Sequence, residues 1–132
     1  MRHVIEWEAV GMPRHRIARN GGRYIPDDHP VHQFQYAIRC RFRPKDLIEG
    51  PLSVEIMSYL HRPKKYDRQL PDGECPHLWT PDVDNIAKAV MDAMIDYVYA
   101  DDKQVRRLVS EKLCVARGDE PRTIITVEPL GG

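Results

Sequence analysis

The sequence has no surplus charge of either sign: 20 Lys+Arg stand against 20 Asp+Glu in 132 residues. It lacks any apolar run near the ~20 residues that span a bilayer, so no membrane partner is expected. Glu6 and Glu8 fall where an export signal would carry its apolar stretch, so the N-terminus gives no expectation of export. Cysteine is scarce. Cys40, Cys75 and Cys114 are an odd, widely spaced set with no C-x-x-C. That pattern excludes a disulfide-dense secreted scaffold and fits a reducing cytoplasm. Internal repeats and low-complexity segments are absent as well. With 42% apolar and 30% charged residues, the composition is that of a globular chain rather than a disordered or collagen-like one. The length predicts one domain over residues 1–132. Such a domain buries roughly 68% of its unfolded surface and needs no disulfide or metal to fold.

The zero net charge does not hold locally. Residues 1–70 carry 13 basic and 8 acidic side chains, and residues 71–132 carry 7 basic and 12 acidic, leaving +5 and −5. Arg14, Arg16, Arg19 and Arg23 lie in a stretch, Val10 to Pro26, that contains no acid. A second basic group, His61-Arg62-Pro63-Lys64-Lys65-Tyr66, follows an apolar run. Either loop alone could be a solvated surface. Two basic loops beside an acidic cluster favour a polyanionic partner, because phosphates attract Lys and Arg while a bound metal screens the acids.

Periodicity predicts a small α/β (α+β) fold, a mixed sheet with helices packed on it. His3–Val10 alternates apolar and acidic residues as a half-buried strand does, and Asn20-Gly21-Gly22 is turn chemistry. Asp27-Asp28-His29-Pro30 reads as a helix start, Val31, Phe34, Ala37, Ile38 and Arg41 as its stripe, and Arg43-Pro44 as its stop. Leu52–Leu60 reads as a strand, and Arg62 to Pro81 as a long loop. Asp82 to about Asp96 is the clearest helix, with Val83, Ile86, Val90, Ala93 and Tyr97 on its buried side. Val105–Val115 fits either a helix or a strand; it is read as a strand because Pro121–Val127 offers an antiparallel partner across Gly118-Asp119.

The chemistry concentrates in Pro81-Asp82-Val83-Asp84-Asn85-Ile86-Ala87-Lys88 and the following Asp92. Asp84, Lys88 and Asp92 are four apart and share a helix face. Asp82 can turn toward the same place from the cap position. Tyr99-Ala100-Asp101-Asp102-Lys103 adds a second acidic pair, which approaches the first if the chain turns back after the helix. Carboxylate oxygens without thiolates suit Mg²⁺ or Mn²⁺, which can take a phosphate oxygen as a further ligand and activate water. A lysine one turn away can stabilise transition-state charge. Plainer readings exist for each part: an N-cap at Asp82 worth ~1 kcal/mol, an Asp84–Lys88 pair worth ~0.3–0.5 kcal/mol, a simple turn at Asp101-Asp102.

The run Pro-Asp-Val-Asp-Asn-x-x-Lys-x-x-x-Asp, followed by Tyr99-Ala100-Asp101-Asp102-Lys103-Gln104-Val105, strongly resembles the RusA family of Holliday junction resolvases, notably its phage and prophage members. The likeness spans nearly the whole chain. It takes in Val10-Gly11-Met12-Pro13 with the arginine loop, Tyr24-Ile25-Pro26, His77, Lys112 and the closing strand. It implies that Asp82, Asp84 and Asp102 bind the metal, that Lys88 is the active-site lysine, and that Asn85 supports the helix start. It further implies a homodimer acting on four-way DNA junctions. The basic loop departs from the common Lys-x-Arg-Pro-Arg, having Arg16-Ile17-Ala18-Arg19 instead.

The expected activity is therefore Mg²⁺-dependent (Mn²⁺ being possible), structure-selective cleavage of branched DNA by paired phosphodiester hydrolysis, in recombination and repair. Catalysis would rest on Asp82, Asp84, Lys88 and Asp102, and phosphate binding on Arg14, Arg16, Arg19, Arg23, Lys64 and Lys65. The alternatives are a non-catalytic junction-binding protein and a metal-dependent nucleotide hydrolase. Cys75-Pro76-His77 with His61 matches no standard zinc spacing. Cys40 and Cys114 read as core residues, and Trp79 as packing rather than base recognition.

Overall fold

A computed structural model of the chain describes residues 1–42 and 46–131. The expected helix stop at Arg43-Pro44 lies outside them. Seven strands and two helices follow in the order β1 (Arg2–Ile5), β2 (Arg16–Ile17), β3 (Arg23–Tyr24), α1 (Pro30–Arg41), β4 (Leu52–Leu60), β5 (Cys75–Pro76), α2 (Val83–Met94), β6 (Val105–Cys114) and β7 (Arg122–Pro129). Five of the strands form one mixed sheet in the order β1-β7-β4-β6-β5, while β2 and β3 make a separate hairpin. The α+β class read from the sequence is the observed one.

β4 organises the sheet. Its even-numbered residues Leu52, Val54, Ile56, Ser58 and Leu60 are buried, and apart from buried Ser53 its alternate residues are exposed or half-buried. Period-2 side-chain alternation makes this one face of a core, shared with Ile125 and Val127 from β7. Val31, Phe34 and Ile38 of α1 and Ile86, Val90, Ala93 and Met94 of α2 join the same apolar cluster. Between the helices, Gln35 Nε2 donates to the Ala89 carbonyl at 3.1 Å and Arg39 Nε to the Ala93 carbonyl at 3.2 Å.

The expected hairpin of the last two strands does not form. β4 lies between them, parallel to β6 and antiparallel to β7, with register running along nearly its whole length on both sides. The physical reason is burial: the most apolar strand occupies the centre, where both of its edges are paired. Joining parallel β4 and β6 requires a crossover, and the segment containing α2 supplies it.

Other boundaries also differ from the sequence reading. β1 ends at Ile5, because the chain leaves the sheet there and the Trp7 amide folds back to the Ile5 carbonyl at 2.8 Å. Asp27 and Asp28 precede α1 without capping it; His29 is the N-cap, its Nδ1 accepting from the Val31 amide at 3.0 Å. α2 ends at Met94, before the positive φ of Asp96, and Val83 at its start is exposed rather than on the buried side. The loop Arg62 to Pro81 holds β5 and a short 3₁₀ turn, Asp67–Gln69. Cys40 is exposed, whereas Cys114 is buried as expected and pairs across strands with Cys75.

Candidate active site

The N-terminus of α2 carries the first acidic residues. Asp82 occupies the N-cap, but its side chain makes no capping hydrogen bond, and the residue is exposed. The plain capping role is therefore unfilled. The Asp82 carbonyl accepts from the Ile86 amide at 3.1 Å, so the backbone begins the helix while the carboxylate stays available.

The extended segment leading into Asp82 is gripped from β6. Lys112 Nζ donates to the Trp79 carbonyl at 2.5 Å and to the Pro81 carbonyl at 2.8 Å, and Ser110 Oγ donates to the Val83 carbonyl at 3.0 Å. Side chains at 110 and 112 share a face of a strand, and carbonyls at 79, 81 and 83 repeat with the same period. Aromatic packing holds the loop behind this grip. The Trp79 ring stacks on Tyr66 at 5.3 Å between centroids, with the rings 20° apart, and meets the His77 ring edge-on. Burial, then the nearby Lys112 charge, hold the His77 imidazole below its ordinary pKa.

Along α2, Asp84 and Lys88 are exposed, and neither takes part in an ion pair among the described residues. Asp92, one turn beyond Lys88, is half-buried. Burial pushes its carboxyl above the usual carboxylate range and the Asp102 charge adds to the rise, while Lys88, His15 and Arg39 oppose it. The chain does turn back after the helix. Fully buried Tyr99 donates its hydroxyl to the Met91 carbonyl at 2.8 Å, and its pKa is raised by burial and then by the charges of Asp102 and Asp92. The electrostatic reach of Asp102 is thus to Asp92. Asp101 is otherwise committed: it caps the turn Asp102–Gln104, accepting from the Lys103 amide at 2.9 Å, while the Gln104 side chain reaches back to the Asp101 amide.

A cleft of about 550 Å³ opens beside the same helix start, lined by Glu8, Gly11, His29, His61, Asp82 and Asn85 among others. Gly11 makes the close approach possible. A Cβ there would stand 3.0 Å from Pro81 Cβ and 3.1 Å from Asn85 Cβ, and the next amide, Met12, donates to the Asn85 carbonyl at 2.9 Å. Glu8 Oε2 accepts from both the backbone amide and Nδ1 of His61, at 3.0 and 2.5 Å.

The basic residues divide by role. Arg14, Arg16, Arg19 and Arg23 are exposed on and around the β2–β3 hairpin, and none joins an ion pair among the described residues. Lys64 and Lys65 are exposed, with Lys65 Nζ 5.5 Å from the Tyr66 ring centre. Arg62 is structural. Its side chain is 7% exposed, pairs with Asp67 at 2.6 Å, and donates to the carbonyls of Pro71, Gly73 and Val115.

An acidic helix face, together with arginines that join no ion pair among the described residues, leaves several phosphate chemistries open, and comparison with known proteins decides the class. The family model for "Endodeoxyribonuclease RusA" matches residues 6–128. The chain belongs to the RusA family. It is also 33% identical over 131 residues to the "Uncharacterized protein YqaN" of Bacillus subtilis (strain 168), covering 92% of this chain and 89% of that protein. RusA-family membership makes this chain a DNA endonuclease, a hydrolase of the resolvase type with branched DNA as its substrate class.

RusA-family nucleases generally depend on a divalent metal. Among the described residues, no three His, Cys, Asp or Glu side chains converge as a metal cluster. By chemistry alone the donors suit such an ion. Asp82, Asp84, Asp92 and Asp102 offer carboxylate oxygens only, and Asp82 and Asp84 are exposed and unpaired among the described residues, which suits a hard cation. Among the described residues, no helix is long and apolar enough to cross a membrane.

Two residues that line the cleft beside the helix start escape sequence patterning. Glu8 reads as the outward face of a strand and His61 as one of a basic run, and only the tertiary fold joins them at the cleft. Asp92 is visible by its spacing from Asp84 and Lys88, but the burial and the Asp102 charge that raise its carboxyl's pKa come only with the fold.

Proposed function

We propose that the chain is a Mg²⁺-dependent Holliday junction resolvase, with Mn²⁺ as an alternative metal, acting as a single endonuclease domain in DNA recombination and repair. The supporting observation is the pair Asp84 and Lys88, exposed and without ion-pair partners among the described residues, in line on α2 with Asp92, on which the Asp102 charge acts. In this reading Asp82, Asp84 and Asp102 hold the cation. Asp102 is preferred to Asp101 because the Asp101 carboxylate already caps a turn. When bound, the cation supplies Lewis acidity and neutralises charge at the phosphodiester.

The side chains then have separable tasks. Lys88 orients the scissile phosphate and opposes the negative charge that grows on it in the transition state. Arg14, Arg16, Arg19 and Arg23, with Lys64 and Lys65, hold flanking phosphates, which gives affinity and register without reading base identity. A four-way junction has two-fold symmetry and needs two matched cuts, so a homodimer presenting two sites is the fitting assembly. The protein then works in the cytoplasm, in a phage or prophage setting like that of the family members it resembles.

The test compares a four-way junction, a fork and a linear duplex under single-turnover conditions with Mg²⁺. Paired, symmetric nicking of the junction well ahead of the duplex is the expected result. Tight junction binding with no cutting in either Mg²⁺ or Mn²⁺ would replace the enzyme with a binding protein.

A further inference from the structure

Lys112 stands outside the acidic helix, yet it bonds the segment that leads into it. Its ammonium has three N–H donors, and two are engaged by the carbonyls on either side of Thr80, at 2.5 and 2.8 Å. No carboxylate forms an ion pair with it among the described residues. The lysine is half-buried, beside the buried His77 ring. A half-buried ammonium without a carboxylate is costly, and what it gains over a neutral donor such as a hydroxyl is two carbonyls of one segment held by a single side chain. Ser110 is such a donor, two residues back along β6, on the Val83 carbonyl. The two side chains together bracket Asp82, bonding the residue before it and the residue after it.

We propose that Lys112 is a positioning residue of the nuclease site: it fixes the backbone of Trp79–Pro81 so that Asp82 presents its carboxylate to the metal. The proposal rests on the reading of Asp82 as a ligand. Its force comes from covalent geometry. Pro81 is bonded directly to Asp82, and the Asp82 side chain is free of capping bonds, so the backbone is what sets its place. Lys112 itself need not touch DNA.

Lys112→Met and Lys112→Arg in the full chain test this. Mn²⁺ affinity is read by electron paramagnetic resonance without DNA, alongside kcat and KM on a four-way junction and the melting temperature. Lys112→Met is expected to weaken Mn²⁺ binding and lower kcat by roughly 10–100-fold, the usual effect of losing a support behind a metal ligand, with KM for DNA unchanged. Lys112→Arg, which keeps charge and donors, should recover most of both. If Lys112→Met does not fold, Lys112→Gln, whose amide donor sits on a shorter side chain than the ammonium that spans both carbonyls, is expected to weaken Mn²⁺ binding and kcat in the same direction by a smaller factor. Unchanged Mn²⁺ affinity and kcat overturn the proposal, as does a loss confined to KM. Asp82→Asn measured in parallel separates the two ideas. If it cuts normally, the ligand reading fails; if it is inactive while Lys112→Met is unimpaired, only the role of Lys112 fails.

Discussion

Tyr99 donates its hydroxyl to the Met91 carbonyl at 2.8 Å, and this bond ties the Asp101-Asp102 turn to the helix that carries Asp84, Lys88 and Asp92. Tyr99 is fully buried. Without its hydroxyl the Met91 carbonyl loses that donor, and the returning chain loses its polar anchor while keeping its ring packing. Tyr99→Phe should cost about 1 kcal/mol in chemical denaturation. Cleavage should fall by more than that loss of stability explains, because Asp102 is then held less firmly. Equal activity at a temperature where both proteins are fully folded would show that the bond is structural only.

The pH dependence of stability should report on His77. The ring is 3% exposed, and its Nδ1 has no hydrogen-bond partner among the described residues. Burial and the Lys112 charge both disfavour its protonated form, so its pKa is lower in the folded chain than in the unfolded one. Between those two values the unfolded chain binds more protons. The stability linked to His77 is therefore complete above the ordinary imidazole pKa and is lost as pH falls through the depressed one. Melting temperature should drop between about pH 7 and pH 5, and His77→Gln should flatten that drop. Parallel curves for the two proteins would remove His77 as its source.

Much of this arrangement is legible from periodicity, but not all. The strand Leu52–Leu60 and the helix after Asp82 are found nearly to the residue, because their apolar spacing agrees with their burial. The likeness in Pro81–Asp92 and Tyr99–Val105 points to the family without recourse to the fold. Strand partners are not legible: Val105–Val115 and Pro121–Val127 are sequence neighbours and plausible hairpin arms, yet β4 separates them. Nothing local encodes that insertion. The same limit applies to the cleft. Gly11 looks like the end of a strand, but the close approach of Pro81 and Asn85 is what requires a residue without a side chain there. Arg62 belongs by sequence to a basic patch and by structure to the loop's interior.

The arginine loop should behave as a phosphate-binding surface independent of base sequence. Arg16 and Arg19 are exposed and carry no ion pair among the described residues, so replacing both by alanine should leave the melting temperature unchanged. Every phosphate that a basic side chain no longer neutralises reduces the slope of log affinity against log salt by about 0.9. The double variant should thus bind junctions more weakly at every sequence, with a slope smaller by up to roughly 1.8. An unchanged slope would move the DNA to another face of the molecule.

The most direct measurement is single-turnover cleavage of a four-way junction by Asp84→Asn in Mg²⁺, with junction affinity measured beside it. Asp84 is exposed, so the substitution keeps the shape of the helix start while removing a negative charge. Binding should be equal to or slightly tighter than that of the unsubstituted protein, and cleavage should fall by several orders of magnitude. Cleavage at the unsubstituted rate would contradict this and place the reaction away from this helix.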